Sequence, residues 1–135
     1  MKLSDWVLRR LLQSARKRFQ SLLAELARTD SPSNVYAELL DLFDSLGPRE
    51  FERAVASPPA VELDPYWSNY VAATVEYAAA RKGVPAPAWT GDVRPLDEPV
   101  FGSDLQSLRL YLLTHSPPPF ARRNIFIDAS VGSRV

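Results

Sequence analysis

One stretch of the sequence, residues 65–82, limits the folds open to this chain more than any other. Asp64 and Pro65 are residues typical of a helix start, and Gly83 is typical of a helix end. A helix that is apolar nearly all round is buried on several sides, so we expect the rest of the chain to pack around this one. The apolar side chains of the predicted helix are Tyr66, Trp67, Tyr70, Val71, Ala72, Ala73, Val75, Tyr77, Ala78 and Ala79.

Helical periodicity also marks the chain on both sides of this stretch. Leucines and other apolar residues recur at helical spacing over residues 4–28 and form one stripe. Shorter patterns, bounded by proline, serine or glycine, predict helices over 32–45, 48–56 and 103–115. The sequence therefore predicts an all-α fold of four to five helices packed around the central helix 65–82.

The segment 83–102, which we call the strap, carries no helical or strand periodicity. Its four prolines remove backbone donors and disfavour helix. Its apolar residues give it something to bury, so we expect an ordered strap laid across the helices rather than a disordered linker. Whether the strap is ordered without a partner stays open. The later apolar run 125–127 is either a short strand or a simply docked segment.

Composition excludes several classes of function. The 135 residues predict a single domain, 1–135, with helices in its N-terminal part, 1–56. The chain has no Cys and one His, His115, and it lacks a phosphate-binding loop and a serine elbow. We therefore predict no metal, no cofactor and no enzymatic activity. No apolar run is long enough to span a membrane, and early arginines argue against a signal peptide, so we expect a cytoplasmic protein that does not bind membranes.

Charge is unevenly distributed along a chain whose formal net charge is zero. Residues 1–28 carry seven Lys or Arg against two acids, whereas residues 29–67 carry eight acids against two Arg. Either the two segments pack on each other and their charges compensate, or they form two surfaces for two partners. The basic side of the first helix could contact nucleic acid through Arg9, Arg10, Arg16 and Lys17.

Any amphipathic surface helix shows a charged outer face, so nucleic-acid binding is the alternative and not the leading hypothesis. Contact with another protein fits the residues better. Aromatic residues and arginine dominate the energetics of protein interfaces, and a proline-rich strap is a pre-ordered surface. The residues predicted to bind a partner are Trp89, Phe120, Arg122, Arg123 and Asn124. Whether the chain also forms a homo-oligomer stays open.

Four short motifs follow one another in the C-terminal half of the chain: residues 87–90 (PAWT), 96–101 (LDEPVF), 108–113 (LRLYLL) and 116–129 (SPPPFARRNIFIDA). Together they resemble a domain of bacterial, chiefly actinobacterial, antitoxins. The likeness covers roughly residues 62–129 and differs from the family at Val100, where an aromatic residue is expected.

In that family the domain often follows a helix-turn-helix module, and its gene often lies beside that of a nucleotidyltransferase-like toxin. Residues 1–56 do not match such a module, which leaves binding and neutralising a cognate toxin as the role that the resemblance implies. The strap and the turn at Arg122 would then cover the toxin's active site. Arg122 and Arg123 could pair with the acidic, metal-binding residues that such a toxin carries.

Overall fold

The computed structural model describes residues 5–102 and 115–127, with side chains from residue 14 onwards. The fold is all-α, as predicted. The predicted helix over 103–115 lies outside the described residues except for its last one. The described elements are α1 (Asp5–Arg28), α2 (Pro32–Ser45), α3 (Pro48–Ala54), α4 (Pro65–Lys82), α5 (Ala88–Gly91), β1 (Val100–Phe101), α6 (Pro118–Ala121) and β2 (Ile125–Phe126).

The first three helices form one packed unit, because the apolar stripe of α1 faces both α2 and α3. Phe43 lies at its centre: its ring centroid is 5.9 Å from that of Phe19 and 4.9 Å from that of Phe51. The oppositely charged α1 and α2 therefore lie side by side. An ion pair of 3.9 Å joins Arg18 to Glu38, and both side chains are about half exposed. Packing of α1 on α2 thus brings part of the basic charge of the N-terminal segment next to the acidic charge of α2.

Helix α4 is the central element, as the sequence predicted. Residues 69–75 are all buried, and the helix packs against α3, α5 and α6. The side chain of Asp64 accepts a hydrogen bond of 2.8 Å from the backbone N–H of Trp67, which caps the first turn. At the other end Gly83 has a φ of 72°, the left-handed conformation that closes a helix.

An aromatic cluster joins α2, α4 and α6. Tyr70 is its hub, with ring centroids 5.0 Å from Tyr36 and 5.3 Å from Phe120. The hydroxyls of Tyr36 and Thr74 are hydrogen-bonded at 3.0 Å. Burial raises the pKa of Tyr36 to about 12, and burial also raises the pKa values of Tyr70 and Tyr66. The cluster therefore favours neutral phenols.

The strap contains more regular structure than the sequence predicted. Residues Ala88–Gly91 form the one-turn helix α5, although prolines surround them. At the end of the strap β1 pairs with β2 in parallel, with Val100 opposite Ile125 and Phe101 opposite Phe126. The run 125–127 is therefore strand-like rather than simply docked. Across residues 5–102 and 115–127, no helix has the length and apolar character to cross a membrane.

The two glycines Gly83 and Gly91 provide a matched test of the left-handed turn that ends α4. A Cβ at either position would meet no atom within 4 Å, but only Gly83 has a positive φ. Because an L side chain is disfavoured in that conformation, Gly83→Ala should lower the free energy of unfolding by about 1 kcal/mol. Gly91→Ala should change it by no more than about 0.5 kcal/mol in urea titrations. Equal effects of the two substitutions would contradict this explanation.

Stability should fall at alkaline pH because the tyrosines of the aromatic cluster are held neutral. A raised folded-state pKa contributes stability that is intact below pH 10, the ordinary value for Tyr36, and is lost as the pH rises to about 12. We expect unfolding in this window, followed by phenolate absorbance and circular dichroism. Tyr36→Phe should remove one late-titrating phenol from the folded protein. If the phenolate absorbance that appears above pH 10 had the same amplitude in that variant, the raised pKa would belong to another tyrosine.

Candidate functional site: the Arg123 network and the adjoining groove

The side chain of Arg123 is buried, with 5% of its surface exposed, and it uses all five of its N–H donors. Nε and Nη2 donate to the two carboxylate oxygens of Glu76, at 3.4 and 3.0 Å. Nη1 donates to Oδ1 of Asn69 at 3.1 Å and to the carbonyl of Val93 at 3.3 Å. Nη2 also donates to the carbonyl of Thr90 at 2.7 Å. We call this set of contacts the Arg123 network.

Local structure on both sides explains why Arg123 reaches this position. Asn69 and Glu76 lie two turns apart on α4 and therefore share one face of the helix. Opposite them, Phe120 is fully buried under α4 and fixes α6. Asn124 then adopts a φ of 64°, a conformation that Asn tolerates better than most residues, and the chain turns from α6 into β2.

Polar side chains of α4 and of the turn hold the strap by its backbone. Nδ2 of Asn69 donates to the carbonyl of Arg94 at 2.9 Å and to that of Pro65 at 2.9 Å. Nδ2 of Asn124 donates to the carbonyl of Leu96 at 2.6 Å. With the carbonyls that Arg123 binds, the strap is fixed at four positions between residues 90 and 96.

Most of the predicted partner-binding residues are part of the interior of the described structure. Trp89, Phe120 and Arg123 are buried and cannot offer their side chains to another protein in this fold. The indole N–H of Trp89 donates to the carbonyl of Val55 at 2.8 Å, so this residue anchors the strap to the end of α3. Asn124 is half-buried and holds the strap. Of the predicted set only Arg122 is exposed, with its side chain 68% accessible and 3.8 Å from Glu76.

The basic side of α1 is exposed where the structure describes it. Arg16 and Lys17 lie on the surface, whereas the side chains of Arg9 and Arg10 fall outside the described residues. Gln20, further along the helix, has an internal role. Its Nε2 donates to the carbonyl of Pro58 at 3.1 Å, and its Oε1 accepts from the N–H of Ala60 at 2.8 Å.

An open groove, which we call the strap groove, runs between the loop 57–64 that Gln20 holds and the strap. It consists of two cavities of about 490 and 340 Å³ that share Glu62, Leu63, Ser68 and Val93 as lining residues. Asn69 lines the larger cavity, so the strap groove adjoins the Arg123 network. The other lining residues are Pro59, Val61, Pro65, Trp89, Arg94, Pro95, Leu96 and Asp97.

The sequence did not indicate Asn69, Glu76 or Gln20 as residues of the site. A signal was nevertheless present, because Asn69 and Glu76 interrupt a helix that is otherwise apolar nearly all round. A polar residue in such a position needs a buried partner. Which arginine supplies that partner depends on the turn after α6, and the sequence pattern does not specify that turn.

Among the residues that the structure describes, no group of three or more His, Cys, Asp or Glu side chains is placed to hold a metal ion. The exposed features near the network are instead the outer side of the strap, Arg122 and the strap groove. Comparisons with protein-family models, with curated proteins and with solved structures find no match to this chain.

Adjacent arginines allow a matched test of the network. Arg123→Met should lower the free energy of unfolding by about 3–5 kcal/mol, because it leaves the largely buried carboxylate of Glu76 without its main partner. Arg122→Met removes the same charge from an exposed, loosely paired side chain and should cost no more than about 1 kcal/mol.

The double variant Arg123→Met with Glu76→Met should recover part of the loss of Arg123→Met, since no isolated charge stays buried. Urea titration of the purified variants measures all three values. If Arg123→Met were no more destabilising than Arg122→Met, the network would not hold the fold together.

Proposed function

We propose that this chain is a non-enzymatic antitoxin, which neutralises a cognate toxin by direct contact; a nucleotidyltransferase is the candidate toxin. The resemblance of residues 62–129 to antitoxin domains supports this proposal. The observation that carries it is the fixed strap. Interior side chains hold its backbone from residue 90 to residue 96, while the side chains of Arg94 and Asp97 are 85% and 81% accessible.

A surface fixed before binding loses less conformational entropy when a partner docks on it. The proposed mechanism is steric, with the outer side of the strap and the turn at Arg122 covering the toxin's active site. Arg122 is the arginine able to pair with carboxylates of the toxin, because its planar guanidinium can bind a carboxylate through two hydrogen bonds. Arg123 acts from the interior by holding the strap in shape.

A second candidate function is a nucleic-acid-binding regulator that uses the basic side of α1. The exposure of Arg16 and Lys17 favours it. Phosphate contacts release counterions, so such a protein would bind duplex DNA with an affinity that falls steeply as salt rises. A binding isotherm on duplex DNA at several salt concentrations therefore separates this function from the first.

The antitoxin proposal is tested by co-expressing the chain with each of the two proteins encoded on either side of its gene. One of them should arrest growth when expressed alone, and this chain should restore growth and co-purify with it in a fixed ratio. Arg122→Ala should weaken the complex by about tenfold, as an exposed interface arginine does. Arg49→Ala, which removes an exposed arginine from α3, is the matched control and should have no effect.

If neither neighbouring protein is toxic or binds the chain, the antitoxin proposal fails. Equal binding by the Arg122→Ala and Arg49→Ala variants would leave the function standing but would exclude Arg122 from the contact.

A further inference from the structure

We propose that the strap groove is a docking site for an extended segment of the partner protein that carries aliphatic side chains and at least one Lys or Arg. This inference rests on the proposed function, since the toxin is the partner that would supply the segment. It adds a second contact, distinct from Arg122, and it specifies the chemistry of what binds there.

The dimensions of the strap groove suit a peptide segment. Its two cavities, of about 490 and 340 Å³, adjoin through four shared residues, and each is partly open to solvent. Each volume falls within the range of ligand sites, roughly 300–1,000 Å³. Two adjoining open cavities can accept successive side chains of one extended chain, whereas a compact small molecule would fill one and leave the other empty.

Both walls of the strap groove are held in place before anything binds. Gln20 fixes one wall through the backbone of Pro58 and Ala60. Asn69 fixes the other wall through the carbonyl of Arg94, and Arg123 in turn holds Asn69. The groove therefore needs no ordering step on binding, which favours affinity for a short segment.

The lining is largely apolar and unusually rich in proline. Val61, Leu63, Val93 and Leu96 supply aliphatic surface, and prolines contribute rigid walls. Aliphatic side chains of a ligand would gain by burial against this surface, at roughly 25 cal/mol for each Å² removed from water. A strongly polar segment would gain little from such a lining.

Charge decides which apolar segment fits. The charged residues that line the strap groove are the carboxylates of Glu62 and Asp97 and the guanidinium of Arg94. The single base, Arg94, already pairs with Asp97 at 3.2 Å. Glu62 is exposed and lines both cavities, so it can meet a cation on the ligand. A basic segment is attracted to such a rim, and a nucleic acid backbone is repelled by it.

The test uses the full chain and a phage-displayed library of random linear peptides as the probe. Peptides are selected on the unaltered protein, and their affinities are measured by fluorescence anisotropy at low and high salt. The selected peptides should share a Lys or Arg beside aliphatic residues. Glu62→Lys combined with Asp97→Lys should weaken their binding by at least about tenfold and should remove most of its salt dependence.

The matched control is Asp30→Lys combined with Asp44→Lys, which changes net charge equally at exposed positions outside the strap groove. This variant should bind the peptides within about twofold of the unaltered protein. Peptides without a shared basic residue, or equal weakening by both double variants, would overturn the inference. Circular dichroism of both variants checks that the charge reversals leave the fold intact.

The same variants are then tested against the toxin, which separates the two proposals. If growth rescue succeeds with the control variant and fails with the groove variant, both proposals are supported. Rescue that is equal in the two variants overturns the strap groove as the toxin's docking site and leaves the antitoxin function in place. Peptide binding without any growth rescue rejects the antitoxin function and retains a peptide-binding groove.

Discussion

The fold depends on one buried cation, the guanidinium of Arg123. Burying a charge is costly unless every donor finds an acceptor, and here a carboxylate, an amide and two backbone carbonyls supply five acceptors. Two of these acceptors lie in the strap, a segment whose prolines prevent it from forming a helix or sheet of its own along most of its length. The side chain of one arginine thus replaces the regular backbone hydrogen bonding that the strap lacks.

Most of the fold could be predicted because its signals are local. The cap at Asp64, the left-handed glycine at Gly83 and the apolar stripe of α1 depend on neighbouring residues, and all three are found in the structure. The candidate site could be predicted only in part. Arg122 and Arg123 are identical and adjacent, and only the left-handed turn at Asn124 and the burial of Phe120 decide which of them faces inwards. Both features depend on tertiary packing, which hydrophobic periodicity in the sequence does not predict.

The burial of the tryptophans could not be predicted from the local sequence pattern either. Trp89 lies in a proline-rich segment without periodicity and is buried, whereas Trp67 lies in the central helix α4 and is only half-buried. The indole N–H of the buried Trp89 finds its acceptor in the carbonyl of Val55, which is distant in sequence. A functional surface is therefore better sought on the outer side of the strap and in the strap groove than among the conspicuous aromatic residues.

The Arg123 network also limits the order in which parts of the chain can fold during synthesis. Its partners on α4 precede Arg123 by 54 and 47 residues, and those in the strap precede it by 30 and 33 residues. During synthesis the first four helices can form and pack before Arg123 has been added, because domains fold progressively from the N-terminus and local contacts form fastest. Until then, however, the carbonyls of Thr90 and Val93 in the strap lack the donors that Arg123 supplies. A nascent chain would thus pass through a stage with a packed helical core and a strap that is not yet held in shape, and Arg123 would fix the strap only once it has been added.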